Sequence, residues 1–159
     1  MRNISFDFIG HSPQHIPTVA QWHQSEWQHI NPDSSTDLRI ATYSRYASEK
    51  TIPCCILATH NEQPLGSASL VVSDMETRPE LGPWLASLYV HPDWRRQGIA
   101  TQLIEQILKI AKHCKISRLF LFTPDQKAFY ARRGWHMLEH CRFHDEAVDI
   151  MYFDLSEMS

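Results

Sequence analysis

Two hydrophobic periods alternate along this chain, and the change from one to the other marks its elements. Trp84–Val90 is a near-continuous apolar run, the pattern of a strand buried on both faces. Beyond it Ala100, Leu103, Ile104, Ile107, Ala111 and Cys114 recur at spacings of three and four, which predicts an amphipathic helix over residues 98–114. A second apolar run predicts a buried strand at residues 119–123. Pro124 suits a first helical turn and Gly134 suits a stop, so residues 124–133 read as a helix. Residues 135–141 and 147–155 read as two closing strands. Upstream, residues 4–9 read as a strand and residues 13–30 as a helix with Ile16, Val19, Ala20 and Trp27 on its apolar side. The stretch Asn31-Pro32-Asp33-Ser34-Ser35 breaks that helix, and Ser35 or Thr36 can cap a second one reaching about Ala47. Residues 52–59 and 67–73 flank a turn and read as a hairpin, followed by a polar loop over residues 74–82. The order β-α-α-β-β-β-α-β-α-β-β is that of an α+β or mixed α/β class. Residues 1–159 read as one domain, without repeat, low-complexity tract or linker.

Composition narrows the class. The apolar fraction is 43%, ordinary for a globular chain. No stretch approaches the roughly 20 apolar residues that span a bilayer. The opening residues lack the apolar core of a secretory signal. Cys54, Cys55, Cys114 and Cys141 form no C-x-x-C pair and read as free thiols, so a reducing, cytoplasmic setting is expected. The net charge of −3 hides an uneven distribution. Residues 95–133 hold nine of the fifteen Lys and Arg against Glu105 and Asp125, a local net of +7. The segments before and after each carry a net of −5. That pattern predicts a basic edge for an anionic cofactor between acidic flanks suited to a cationic acceptor. A nucleic-acid footprint would raise the charge of the whole domain, so nucleic acid is not expected as a partner.

The chemistry concentrates where the central strand meets the following helix. Leu88-Tyr89-Val90-His91-Pro92-Asp93-Trp94 leads into Arg95-Arg96-Gln97-Gly98-Ile99-Ala100-Thr101. An arginine-flanked glycine turn that opens a helix presents unpaired backbone N–H groups and a partial positive charge, which suits a pyrophosphate. The six residues from Arg95 to Ala100 fit the pattern Gln/Arg-x-x-Gly-x-Gly/Ala. A second block, Phe129-Tyr130-Ala131-Arg132-Arg133-Gly134-Trp135, fits Phe-Tyr-x-x-x-Gly-aromatic. With these two blocks in this order, the chain resembles the GNAT N-acetyltransferases, well over residues 50–154 and in outline before that.

The resemblance implies a GNAT-like fold: a central mixed, mostly antiparallel sheet flanked by about four helices. It implies acetyl-CoA as cofactor, with CoA as product. The pyrophosphate is then expected against Arg95, Arg96, Gln97, Gly98, Ile99, Ala100 and Thr101. The strand residues Leu88, Tyr89 and Val90 are expected along the pantetheine arm, with a Leu88 or Tyr89 N–H on the thioester oxygen. Tyr130 takes the place of the family's tyrosine beside the cofactor sulfur and is the expected catalytic proton donor. Many relatives carry an asparagine seven residues before that tyrosine. Here Thr123 stands there, so Gln126 or Asp125 is the expected substitute, and Phe129 is expected along the cofactor channel.

The general base is not legible. Relatives often carry a glutamate on a central strand, but neither apolar run contains a carboxylate. Asp33, Glu76, Glu80, Asp145 and Glu146 are loop candidates. Acceptor contacts are expected from Trp27, Trp84, Glu80 and Asp145, in segments that are acidic and aromatic, so an amine acceptor is favoured. The leading expectation is transfer to a primary amine of a small molecule, in a ternary complex. A peptide or protein Nα-acetyltransferase and a non-catalytic acyl-CoA sensor stay open, as does a homodimer. His136, His140 and His144 recur every four residues, but they fall in a strand and turn, where that spacing gathers no facing cluster, so no metal is expected.

Overall fold

The computed structural model describes residues 3–158; Met1, Arg2 and Ser159 lie outside it, and with them the start of the segment read above against a secretory signal. The strands are β1 (Ser5–Phe8), β2 (Cys54–His60), β3 (Gln63–Val71), β4 (Trp84–Val90), β5 (Arg118–Thr123), β6 (His136–Phe143) and β7 (Glu146–Asp154). The helices are α1 (Ile16–Trp27), α2 (Thr36–Tyr43), α3 (Ile99–His113) and α4 (Lys127–Ala131). The strands form one sheet in the order β1-β2-β3-β4-β5-β7-β6. Every neighbouring pair is antiparallel except β4 and β5. This is the mixed, mostly antiparallel sheet with four helices that the resemblance implies.

The apolar runs are continuous because helices cover both faces of the sheet. Along β2, Cys54, Ile56 and Ala58 pack toward α3 with Leu103, Ile107 and Ala111. Cys55 and Leu57 alternate to the other face, against Val19, Ala20 and Tyr43 of α1 and α2. Trp84, Phe120, Phe143 and Ile150 close a third apolar cluster.

Several elements are shorter than the sequence pattern predicts, each for a local reason. Residues 13–15 form a 3₁₀ turn, and α1 starts at Ile16 with Pro17 in its first turn. The second helix stops at Tyr43 instead of near Ala47. Arg45 and Tyr46 N–H tighten to the carbonyls three residues back, and Ala47 N–H is taken by Pro53 O as Ala47 bridges to Cys54. The predicted helix at 124–133 is reduced to Lys127–Ala131, because Thr123 Oγ1 accepts from Gln126 N–H and holds the preceding turn open. The hairpin turns at Asn61-Glu62 and His144-Asp145 put both central residues at positive φ, which matches the right-handed twist of the strands they join.

The decisive irregularity lies in β4. Ser87 has φ of 54°, and the β3–β4 register slips between Ser67 and Ser69. This is a bulge. Below it β4 meets β5 at Trp84↔Phe120 only, while β5 keeps its ladder with β7 from Arg118↔Asp154 to Thr123↔Asp149. The sheet therefore parts between β4 and β5 on the side where β4 runs out toward the glycine loop.

Candidate active site

A cavity of about 920 Å³ opens at this parting. One end is built from the turn between β4 and α3. Arg96 and Gly98 sit at φ of 63° and 81°, and a Cβ built on Gly98 would meet nothing within 4 Å. Gly98 is the N-cap of α3 and brings no side-chain acceptor, so the first N–H groups of the helix face outward uncapped. Arg95, Arg96, Gly98, Ile99, Ala100 and Thr101 all border the cavity, as do Leu88, Tyr89 and Val90. Gln97 does not. Arg95 is partly spent on the loop itself: its Nε donates to Val90 O at 2.8 Å.

Arg133 completes this end, and the sequence patterns did not single it out. Its Nε donates to Thr101 Oγ1 at 2.9 Å and its Nη1 to Phe129 O at 2.7 Å, and the guanidinium stacks 3.6 Å over the Phe129 ring. It ties α4 to the first turn of α3 and adds a third cation beside Arg95 and Arg96. Its sequence signals are its place inside the Phe129–Trp135 block and at the end of the basic segment 95–133. An uncapped helix start, an open glycine cradle and three guanidinium groups fit a pyrophosphate, and the slot between β4 and β5 fits a narrow extended arm.

The middle of the cavity carries Thr123, Asp125, Gln126, Phe129 and Tyr130. Tyr130 is 9% exposed, with its ring edge-on to Phe129 and Trp135. Burial pushes its phenol well above its ordinary value, against the opposing field of Arg133, so the hydroxyl stays protonated and available as a donor at neutral pH.

The far end is made by α1, α2 and the loop after β3: Glu26, Trp27, His29, Asn31, Arg39 and Asp74, with Glu146 from the β6–β7 hairpin. Asp74 is half-buried as a residue, and desolvation raises its carboxyl to about 7; Arg39 pulls it down and Glu76 pushes it up. A carboxyl that titrates near neutrality in a cavity is suited to proton transfer. Behind it lies a polar network. His23, fully enclosed, meets Tyr43 Oη at 2.7 Å through Nδ1 and Ser67 Oγ at 2.9 Å through Nε2. Burial and the field of Arg39 lower the His23 imidazole to about 3, so it is neutral. The rings of Trp22, His23 and Trp27 surround Tyr89 and seat this part of β4.

Some of the expected acceptor residues lie elsewhere. Trp27 borders the cavity, but Trp84 is fully enclosed in the core against Phe120 and Phe122, with its indole N–H on Leu81 O at 3.1 Å. It stands where β4 is still paired with β5, below the parting, and so does not reach the cavity. Glu80 is exposed and paired with Arg78 at 2.8 Å. Asp145 sits in the hairpin turn, where its carbonyl accepts from Arg142 at 2.6 Å. Neither borders the cavity. Of the loop candidates for the base, Glu146 alone does; Glu76 is instead paired with His144. Asp74 was hidden in the sequence because nothing in a polar loop marks which acid will be enclosed. The histidines of the last hairpin do not converge either: His140 pairs with Asp149 at 2.8 Å. All four cysteines are free. Among the described residues no helix is long and apolar enough to cross a membrane.

No curated protein sequence matches the chain. Solved structures resemble it closely in fold at low identity. An acetyltransferase from Streptococcus agalactiae is 19% identical, with a TM-score of 0.70 over 97% of this chain and 99% of that one. The Salmonella typhimurium protein yncA, solved with its cofactor acetyl-CoA, is 16% identical, with a TM-score of 0.74 over 98% of this chain and 96% of that one. N-acetylglutamate synthase from Neisseria gonorrhoeae, solved with coenzyme A and N-acetyl-glutamate, is 19% identical, with a TM-score of 0.68 over 98% of this chain and 36% of that one. The family model described as acetyltransferase (GNAT) family matches residues 16–135, and the chain belongs to that family.

Proposed function

We propose that this protein moves the acetyl group of acetyl-CoA to a primary amine of a small molecule, by direct transfer in a ternary complex. The observation that carries the reading is a single cavity that runs from the Gly98 cradle, through the parting of β4 and β5, to the carboxyl of Asp74. When bound, acetyl-CoA supplies the acyl carbonyl that the amine attacks and the thiolate that leaves.

The chain's own groups divide the work. Arg96, Arg133 and the N–H groups at the start of α3 hold the pyrophosphate, with Gly98 leaving room for it. A backbone N–H of Leu88 or Tyr89, released from β5 by the bulge, donates to the carbonyl oxygen as charge builds on it. Asp74 attracts the incoming ammonium and takes its proton, and the approach of that cation favours the ionised carboxylate. Tyr130 donates its hydroxyl hydrogen toward the departing sulfur. Trp27, Glu26 and Glu146 line the entrance for the acceptor and favour a cation there.

The reading is tested by following CoA release over a panel of amines, together with the thermal shift produced by acetyl-CoA. Turnover with at least one amine and a positive shift are expected. A shift without turnover on any amine would make the protein an acyl-CoA sensor, and neither response would refute the assignment of the cavity.

A further inference from the structure

Arg39 is a guanidinium without a counter-ion at the acceptor end of the cavity. It stands on α2, in the wall shared with a smaller cavity of about 370 Å³. Its Nε donates to Gln24 Oε1 at 3.1 Å and its Nη1 to Tyr43 Oη at 3.4 Å. Its Nη2 is enclosed by protein and meets no acceptor. Both partners are neutral, and Arg39 enters no ion pair among the described residues. A half-buried guanidinium with two neutral partners and one unmet nitrogen gains from a carboxylate brought against it.

Glu26, Asp74 and Glu146 border this end of the cavity, but none of them forms an ion pair with Arg39. The other arginines bordering the cavity, Arg95, Arg96 and Arg133, gather at the Gly98 end, where the pyrophosphate is expected. Asp74 borders both cavities with Arg39, but desolvation outweighs the field of Arg39 and keeps much of its carboxyl protonated near neutral pH. Arg39 is held in place by Gln24 from α1 and Tyr43 from its own helix, so its position is set before any ligand arrives.

Resting on the amine-acetylation reading above, we propose that Arg39 receives a carboxylate of the acceptor, so that the substrate is an amine that also carries a carboxylate. Its nitrogen lies toward Asp74 and its carboxylate against Arg39. Such an acceptor satisfies Arg39 and presents its ammonium to the acids around it. The shared chemistry is met by a free amino acid and by a peptide whose first residue is acidic.

Matched acceptors separate these outcomes. Free amino acids are compared with their carboxamides and with the corresponding decarboxylated amines, and with amidated dipeptides that begin with Asp or Glu, by CoA release. The wild-type kcat/KM is expected to be about 10- to 100-fold higher for the carboxylate-bearing member of the preferred set. Arg39→Gln should remove that preference through KM, with the KM for acetyl-CoA unchanged, and Arg39→Lys should restore part of it. Preference for the acidic dipeptides over free amino acids assigns the carboxylate to a peptide side chain and supports the same role for Arg39. Equal use of carboxylate and carboxamide acceptors by the wild type overturns the proposal. Thermal shifts by the same acceptors in the presence of CoA read the site without turnover. A chain that acetylates nothing, yet is shifted by amino acids and not by their amides until Arg39 is replaced, refutes the catalytic reading and keeps the carboxylate site. Absence of any such difference refutes the site.

Discussion

Replacing Asp74 with asparagine separates the chemistry of this carboxyl from its cost to the fold. The variant keeps the shape of the side chain but cannot ionise. Burial moves the carboxyl from an ordinary 3.8 to about 7, with Arg39 opposing and Glu76 reinforcing the shift. At 1.36 kcal/mol per unit this corresponds to about 4 kcal/mol between the two limits of pH. The native chain holds this proton more tightly than the unfolded chain, so stability from this site is greatest at low pH and falls as pH rises from about 4 to 7. Asparagine carries no such slope. The stability of Asp74→Asn relative to the wild type should therefore increase by about 2–3 kcal/mol between pH 5 and pH 8, read by urea unfolding at the two values. Activity should move the other way. Without a proton acceptor kcat/KM falls by about 10²–10⁴, and the rising limb of the wild-type pH profile, centred near 7, disappears. A stability difference that is the same at both pH values would refute the enclosed carboxyl. A variant that keeps both its kcat/KM and a limb near 7 would refute its role as base.

Three further substitutions test other parts of the site. Tyr130→Phe removes the buried donor and should lower kcat by about 10²-fold with the dissociation constant of acetyl-CoA within about twofold of wild type by calorimetry; an unchanged kcat would leave Tyr130 as packing alone. Gly98→Ala places a Cβ on a residue at φ of 81° with open space around it, so the strain of about 1 kcal/mol should appear as a small loss in Tm, and acetyl-CoA should bind several-fold more weakly as the cradle tightens. Trp84→Ala should destabilise the fold by about 3–5 kcal/mol in urea unfolding, since the indole is fully enclosed. If Trp84→Ala instead alters acceptor KM with normal stability, the indole belongs to the site after all.

Much of this protein is local in origin. The three-and-four spacing from Ala100 to Cys114 specifies α3, because an apolar stripe at that period can be buried only as a helix. The run Trp84–Val90 specifies a central strand, and Gly98 after Arg95 and Arg96 specifies a tight turn into α3, because the backbone there needs φ that other residues resist. These features and the Phe129–Trp135 block made the cofactor end readable. The ends of α2 and α4 were not readable, since the bond from Ala47 N–H to Pro53 O and the bond that Thr123 accepts from Gln126 stop them where periodicity alone would continue.

The acceptor end was decided by tertiary structure. Nothing in a polar loop distinguishes Asp74 from Glu76 or Glu80. Only the packing of α2 against the loop after β3 encloses one carboxyl and leaves the others in solvent or paired. The same packing leaves Arg39 without an ion pair, and the pairing of Trp84 with β5 buries it in the core while Trp27 at the end of α1 borders the cavity. The bulge at Ser87 is likewise invisible in the residues themselves, although it parts β4 from β5 and creates the slot. Periodicity and turn chemistry act within a few residues, so the sequence by itself determined the elements and the glycine turn that opens α3. Desolvation and unmet charge arise where distant segments close on one another, so only the folded chain decided which acid titrates and which cation waits for a ligand.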